Sequence, residues 1–213
     1  MTSTAMIQVL GAVAYGELKA YEGAKEEAAQ ATGPERLRWR KVAAEELRHH
    51  KGFVARLEAL GADPDRAMRP FRETLDRFHA RPNEHGIEDA IAAYLGEGVA
   101  DDLLRWLREV VDDDTAAFID TVIEDEVEHE ANAAADLTAL LAEPGARARA
   151  AAGARRMIGD MAWSGRGRAG LPLAAFLRVG KTPLLLAALV GGHARRMRAI
   201  GLAPLGLPIP APA

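Results

Sequence analysis

The chain of 213 residues contains no cysteine. This absence excludes disulfides, thiolate nucleophiles and zinc or iron–sulfur centres held by cysteine, so electrons for any redox reaction must come from another molecule. Aromatic residues make up only 5% of the chain, whereas alanine is abundant. Because small side chains let helices approach closely, this composition favours an all-α fold.

Long apolar runs are also missing, since no segment reaches the roughly 18 uninterrupted apolar residues of a membrane-spanning helix. The N-terminal residues Met1–Ala5 show no basic stretch followed by an apolar run, and we therefore expect no export signal and a cytoplasmic protein. A hydrophobic fraction of 49% is enough for the core of one large domain or of a bundle with an appendage.

Helical periodicity divides the first 143 residues into two hairpins. The pattern predicts helices over residues 4–31, 34–60, 87–111 and 115–141, with a short helix begun by Asp63 and Pro64 in the connection over 62–86. The acidic run 112–114 is expected to cap the fourth helix. Short, long and short connections are typical of a ferritin-like four-helix bundle, which has two antiparallel hairpins joined by one long crossover.

Two Glu-x-x-His motifs lie 80 positions apart, and a Gly-Glu pair places a further Glu 29 residues before each motif Glu. Residues i and i+3 project from one face of a helix, so a Glu and a His at this spacing can bind the same or adjacent ions. Four Glu and two His on four helices are the ligand set of a dinuclear centre in such a bundle. The predicted metal ligands are Glu17, Glu46, His49, Glu97, Glu126 and His129.

These ligands occupy positions that the helical period assigns to the core, as in the series Val42, Glu46, His49 and Phe53. We therefore expect each of the four helices to bury a carboxylate at mid-length. An uncompensated buried carboxylate costs several kcal/mol, and two divalent ions would offset four such charges. Carboxylate and imidazole ligands suit iron, our first choice, or manganese. A single Glu-x-x-His motif is more often a solvated pair, but duplication and core placement favour a metal site.

Glu45 and Asp125 are candidates for a supporting role around the ligands. Each lies one turn before a motif His, where its carboxylate could accept the imidazole N–H of the opposite hairpin and fix the ring. Arg48 could pair with one of these carboxylates. For Glu45, Arg48 and Glu128 the alternative is an exposed helix face.

Asp101 follows Glu97 by one turn, and its counterpart in the first half of the repeat is Tyr21. Asp101 is a candidate extra ligand, proton carrier or hydrogen-bond partner of Tyr21. The remaining histidines fit the metal site less well: His50 is placed at the edge of the core face, and surface positions are expected for His79, His85 and His193.

The segments Glu45-Glu46-Leu47-Arg48-His49 and Asp125-Glu126-Val127-Glu128-His129 resemble the repeated (Asp/Glu)-Glu-x-Arg-His signature of ferritin-like di-iron carboxylate proteins, with Glu128 in place of the Arg. The run from Ala43 to Phe71 is similar to the branch related to the tRNA hydroxylase that oxidises 2-methylthio-isopentenyl-adenosine. The resemblance covers about residues 7–141, and it places no substrate-contacting residue of that branch.

The resemblance implies a di-iron oxidoreductase that activates O2, in particular a hydroxylase or monooxygenase, with Glu46 and Glu126 as bridging ligands. It also implies an external electron donor and an organic substrate, for which a modified tRNA base is one candidate. A peroxidase or ferroxidase would use the same ligands, and a non-catalytic metal-binding bundle is the alternative of another class. The lack of cysteine disfavours a rubrerythrin-type electron chain.

The last third of the chain differs in charge. Residues 145–213 carry 11 Arg or Lys and one acidic residue, whereas residues 1–144 carry 16 basic and 30 acidic residues. We expect a bundle over residues 1–143 and a basic, partly apolar helical extension over 144–213. The extension either docks on the acidic bundle or at a homodimer interface, which we favour, or forms a surface for nucleic acid or phosphate, with a membrane or an acidic partner as a further alternative.

Overall fold

The computed structural model describes residues 3–80, 86–164 and 173–204, without the side chains of 160–164 and 173–174. The described chain is helical throughout, as the sequence predicts. Its α-helices, in chain order, are α1 (Thr4–Gln30), α2 (Gly33–Ala59), α3 (Pro64–Met68), α4 (Arg72–His79), α5 (Ile87–Arg108), α6 (Asp113–Leu140), α7 (Ala146–Ser164), α8 (Leu173–Val179) and α9 (Thr182–Ala199).

The helix ends follow the local signals in the sequence. Asp63 Oδ1 accepts a hydrogen bond from Arg66 N at the start of α3, and Asp112 Oδ1 accepts one from Thr115 N at the start of α6. Both are N-caps, which satisfy backbone N–H groups that have no partner inside the helix. Gly61, at φ 74°, ends α2, and Ala62 N donates to Leu57 O across it, the hydrogen bond of a Schellman motif.

The chain divides into two compact units, which combine residues from both sides of the boundary predicted at 143/144. The first unit contains Met1–Arg81 and Ala169–Gly180, and the second contains Pro82–Arg168 and Lys181–Ala213. In the first unit, α1 contacts α2, α3, α4 and α8; in the second, α5 contacts α6, α7 and α9. One helix thus forms the centre of each unit. The separate bundle and extension over 1–143 and 144–213 stay a prediction.

The predicted long connection contains α3, a 3₁₀ turn over Arg69–Phe71 and α4. Met68 and Phe71 of its predicted apolar side are buried, and Leu75 and Phe78 are half-buried. Tyr15 of α1 donates a hydrogen bond of 2.7 Å from its hydroxyl to Asp76 Oδ1 of α4. This connection is therefore part of the core of the first unit and is not a free loop.

The core of the second unit draws on all four of its helices. Ile91 and Leu95 of α5 form a buried cluster with Leu137 of α6, Met157 of α7 and Met197 of α9. Helix α9 carries Arg195, Arg196 and Arg198, of which Arg196 is buried and the other two are exposed. No helix among the described residues is long and apolar enough to cross a membrane.

Gly11 allows α1 and α3 to pack at close range. A Cβ atom built at Gly11 would overlap the carbonyl group of Ala67 in α3, so even alanine requires the two helices to separate. Gly23, on the same helix, is exposed and has no neighbouring atom within 4 Å of its virtual Cβ.

We predict opposite effects of the same substitution at these two glycines. Gly11→Ala should destabilise the protein by about 1–3 kcal/mol because the core around Ala67 becomes overpacked. Gly23→Ala should stabilise it by about 0.5–1 kcal/mol through helix propensity and the reduced entropy of the unfolded chain. Urea unfolding of both variants measures the difference, and a stabilising Gly11→Ala would contradict the close α1–α3 packing.

Candidate metal centre

The first half of the predicted ligand set forms a compact cluster in the first unit. Glu17 of α1 and Glu46 of α2 each place Oε2 3.5 Å from His49 Nδ1, and the ligand atoms of all three side chains lie within 4.8 Å of one another. All three are buried, with relative exposures of 9% for Glu17, 5% for Glu46 and 0% for His49. Predicted burial is thus confirmed for these residues.

The chemistry of this cluster suits a cation. Two carboxylates in one buried cluster repel each other, and the imidazole adds at most one positive charge if it is protonated. A divalent ion bound by both carboxylates and a neutral imidazole nitrogen would offset this cost. Oxygen and nitrogen donors without sulfur favour iron or manganese over a structural zinc ion. The buried Glu17, Glu46 and His49 can therefore hold a metal ion.

The second half of the set is arranged differently in the second unit. His129 Nδ1 of α6 lies 3.4 Å from Glu126 Oε2, and each of these side chains is 14% exposed. Glu97 of α5 is exposed, so the expectation that all four helices bury their ligand carboxylate is wrong for Glu97. Its role as a ligand stays a prediction.

Asp101 and Asp102 are the carboxylates that α5 buries, with relative exposures of 7% and 1%. Sequence reasoning named Asp101 and missed Asp102. The signal was present, because Leu95, Gly98 and Asp102 follow one another at steps of three and four, the spacing of a buried helix face. Asp102 is hydrogen-bonded by Arg196 of α9, and no spacing rule joins residues so far apart in sequence.

Burial holds the pKa of Asp101 well above its usual range, and the negative charges of Glu126 and Glu130 raise it further. Arg196 opposes this shift. About two turns earlier on α5, burial followed by the charge of Glu130 raises the pKa of Tyr94 to about 12. The second unit therefore contains an acid that keeps its proton to higher pH than an exposed aspartate, as its predicted role as proton carrier requires.

The other predicted supporting residues are half-buried or exposed, and Glu45 and Tyr21 have contacts on their own helices. Glu45 Oε1 is 3.6 Å from Lys41 Nζ, one turn earlier on α2, while Asp125 is half-buried and Arg48 is exposed. Tyr21 is half-buried, and its ring lies 5.8 Å from Lys25 Nζ. The roles proposed for Glu45, Arg48, Asp125 and Tyr21 stay predictions.

The four histidines outside the ligand set have separate positions. His50 Nδ1 lies 2.8 Å from Ala14 O, so the ring joins α2 to α1 one turn before Glu17. His79 is exposed as predicted, whereas His193 is half-buried on α9 and the expected surface position is wrong. Burial lowers the pKa of His193. His85 lies outside the described residues.

Burial of Asp101 leads to a pH-dependent prediction for metal-free protein. The native state binds the Asp101 proton more tightly than the unfolded state, whose aspartate titrates near 3.8, so the contribution of Asp101 to stability falls as the pH rises above that value. Asp101→Asn removes the free-energy cost of ionising a buried carboxyl group. In urea unfolding the variant should be more stable than the wild type at pH 7, and the difference should shrink toward pH 4.

The matched control is Asp136→Asn, which removes an exposed carboxylate from α6. Its unfolding midpoint should follow that of the wild type at both pH values. If Asp101→Asn shows no more stability than Asp136→Asn at pH 7, then the Asp101 carboxylate is not held in a desolvated position.

Comparison with known proteins gives an independent assignment of the fold. A family model described as a ferritin-like domain of actinomycetes matches residues 2–169. The match includes both helical hairpins and every predicted metal ligand. A search of curated proteins finds no match to the chain. Since the family model covers well over half of the 213 residues, the chain belongs to the actinomycete family of ferritin-like domains.

Proposed function

We propose that this ferritin-like protein is an oxidoreductase that binds two iron ions and activates O2, with hydroxylation of an organic substrate as its reaction. The observation that carries the proposal is the buried cluster of Glu17, Glu46 and His49 within a ferritin-like domain. Manganese is the alternative metal, since it accepts the same oxygen and nitrogen ligands.

Both halves of the repeat contribute ligands in this proposal. Glu17, Glu46 and His49 provide one set, and the sequence repeat supplies the corresponding Glu97, Glu126 and His129. Support for joining the two sets comes from the ferritin-like family match and from the ligand pattern of di-metal four-helix bundles, in which one Glu from each of two helices joins a Glu-x-x-His motif from each of the others. Glu46 and Glu126 are the proposed bridging carboxylates.

Iron held by these ligands would transfer electrons to O2 and would be re-reduced by the external donor, and the residues of the chain control its surroundings. Glu17 and Glu46 provide the negative charge that holds cations in a buried position. Asp101 of α5 keeps a proton to higher pH than an exposed aspartate, because burial and the charge of Glu126 raise its pKa. It is the proposed proton donor of the site.

The electron donor is a separate molecule, because the chain has no cysteine to bind an iron–sulfur centre or form a redox disulfide. For the substrate, the similarity of residues 43–71 to the tRNA hydroxylase branch supports a modified tRNA base. Of the clustered arginines on α9, Arg196 is buried and not exposed to RNA, whereas Arg195 and Arg198 are exposed. A small organic substrate is the alternative.

The first test concerns metal content. Wild-type protein purified without oxygen and loaded with Fe²⁺ should bind two ions per chain. Glu46→Ala should lower metal affinity by at least about tenfold, equivalent to about 1.4 kcal/mol, and Glu126→Ala should do the same. The controls Glu58→Ala and Glu124→Ala remove exposed carboxylates from α2 and α6 and should retain both ions. Unchanged affinity in Glu126→Ala would refute the shared centre.

The second test concerns reactivity. Iron-loaded wild type with an excess of chemical reductant should consume O2, and Glu46→Ala should lose this activity. Oxygen uptake is measured with and without bulk tRNA, and H2O2 and Fe²⁺ are supplied separately as alternative substrates. Stimulation by tRNA supports the tRNA substrate; turnover of H2O2 or Fe²⁺ alone identifies a peroxidase or ferroxidase. Metal binding without any turnover identifies a non-catalytic metal-binding bundle.

A further inference from the structure

Helices α5 and α9 meet through a reciprocal pair of glycines in the second unit. A Cβ atom at Gly98 of α5 would overlap the guanidinium of Arg196, and a Cβ atom at Gly192 of α9 would overlap the carboxylate of Asp102. Each glycine precedes the charged residue of its own helix by four positions. Each helix therefore provides a notch for the charged side chain of the other.

Arg196 and Asp102 fill these notches as a buried ion pair. Arg196 Nη1 donates a hydrogen bond of 3.2 Å to Asp102 Oδ1, and Nη2 donates a second bond to Oδ2. Both side chains are 1% exposed. Burial opposes the charge of Arg196, but its hydrogen bonds with Asp102 raise its pKa overall. The guanidinium is thus a fixed positive charge inside the unit.

The same guanidinium also reaches α6. Arg196 Nη1 lies 3.6 Å from Glu130 Oε2, and Arg195 Nη2 lies at the same distance from this atom. Glu130 directly follows the candidate ligand His129. Arg196 therefore links Asp102 of α5 to Glu130 of α6 at the level of the second ligand pair.

Among the described residues, the corresponding positions of the first hairpin form no such link. A shift of 80 positions aligns Asp102 with Glu22 and Glu130 with His50. Glu22 is exposed and pairs with Lys19 on its own helix, whereas His50 Nδ1 lies against Ala14 O. The side chain after the motif His thus contacts the neighbouring helix backbone in one hairpin and an arginine from α9 in the other.

We propose that Arg196 is a positioning residue for the second metal-ligand set: by binding Asp102 and Glu130 it fixes α5 against α6 and so holds Glu126 and His129 in place. This inference rests on the proposed function. Packing alone does not require an arginine here, because the desolvation of a buried ion pair offsets much of its Coulomb energy and apolar residues of similar size commonly replace such pairs without loss of stability.

The test uses the full chain and Co²⁺, whose visible absorption reports tetrahedral or octahedral coordination. Arg196→Met alone leaves Asp102 buried without its hydrogen-bond partner and with only the more distant charge of Arg195, whose Nη2 lies 3.6 Å from Asp102 Oδ1, so it is expected to be destabilised. The informative variant is Arg196→Met/Asp102→Asn, which removes both charges and should remain folded. We expect it to bind the second Co²⁺ at least about tenfold more weakly than the wild type does, with a smaller loss of affinity for the first ion and an altered visible spectrum.

The matched control is Arg198→Met, which removes an exposed arginine from the same helix and should leave both affinities and the spectrum unchanged. Arg196→Lys keeps the positive charge but cannot bridge two carboxylates with a planar fork, so it should restore stability without restoring tight binding of the second ion. Restored stability with weak binding of the second ion in Arg196→Lys would show that Arg196 positions the ligands, and that its role is neither its charge alone nor folding alone.

Each outcome bears on a different claim. Two Co²⁺ bound equally tightly by the wild type and by the folded double variant would overturn the role of Arg196 and leave the proposed metal centre intact. No Co²⁺ or Fe²⁺ bound by the wild type would overturn the proposed function and this inference with it. Loss of both ions from the folded double variant would also contradict a role confined to the second set.

Discussion

Burying negative charge between helices is the constraint on which both units depend. A carboxylate in a helical core loses hydration that hydrophobic packing does not replace, so a compensating partner must be present in the folded state. The first unit places His49 between Glu17 and Glu46. The second places Arg196 against Asp102. His49 leaves coordination sites for a cation, whereas Arg196 neutralises the charge of Asp102 without one.

These two solutions give the repeated hairpins different chemistry. The imidazole can be neutral and give its lone pair to an ion, whereas a guanidinium remains protonated and has no lone pair to give. A ligand cluster can therefore form around His49, but Arg196 can only support one. The hairpins share a motif and a spacing, yet in the second a buried carboxylate pairs with an arginine from outside the hairpin.

Local sequence was sufficient for the features that depend on neighbouring residues. Caps at Asp63 and Asp112, the end of α2 at Gly61, and the placement of Glu46 and His49 on one helix face all follow from spacings within a few turns. The exposure of Glu97 and the pairing of Asp102 with Arg196 did not follow. Both depend on which face of α5 is covered by α9, and that helix is far along the chain.

Gly98 and Gly192 illustrate the same limit. Glycine inside a helix is unfavourable by about 1 kcal/mol relative to alanine, so each looks like a weak point when its own helix is considered alone. Their role is clear only when the two helices are considered together, because each glycine makes room for a charged side chain of the other helix. Sequence patterns within one helix cannot reveal a complementarity that is shared between two.

The separation of Asp102 and Arg196 along the chain also has a consequence for biosynthesis. The two residues are 94 positions apart, so at about 5–20 residues per second a ribosome needs roughly 5–20 s to make the arginine after the aspartate. During that interval the nascent α5–α6 hairpin must keep Asp102 in water or protonated. The second hairpin can therefore reach its final packing only after α9 has been translated, and the first unit, in which α8 contacts α1, only after α8.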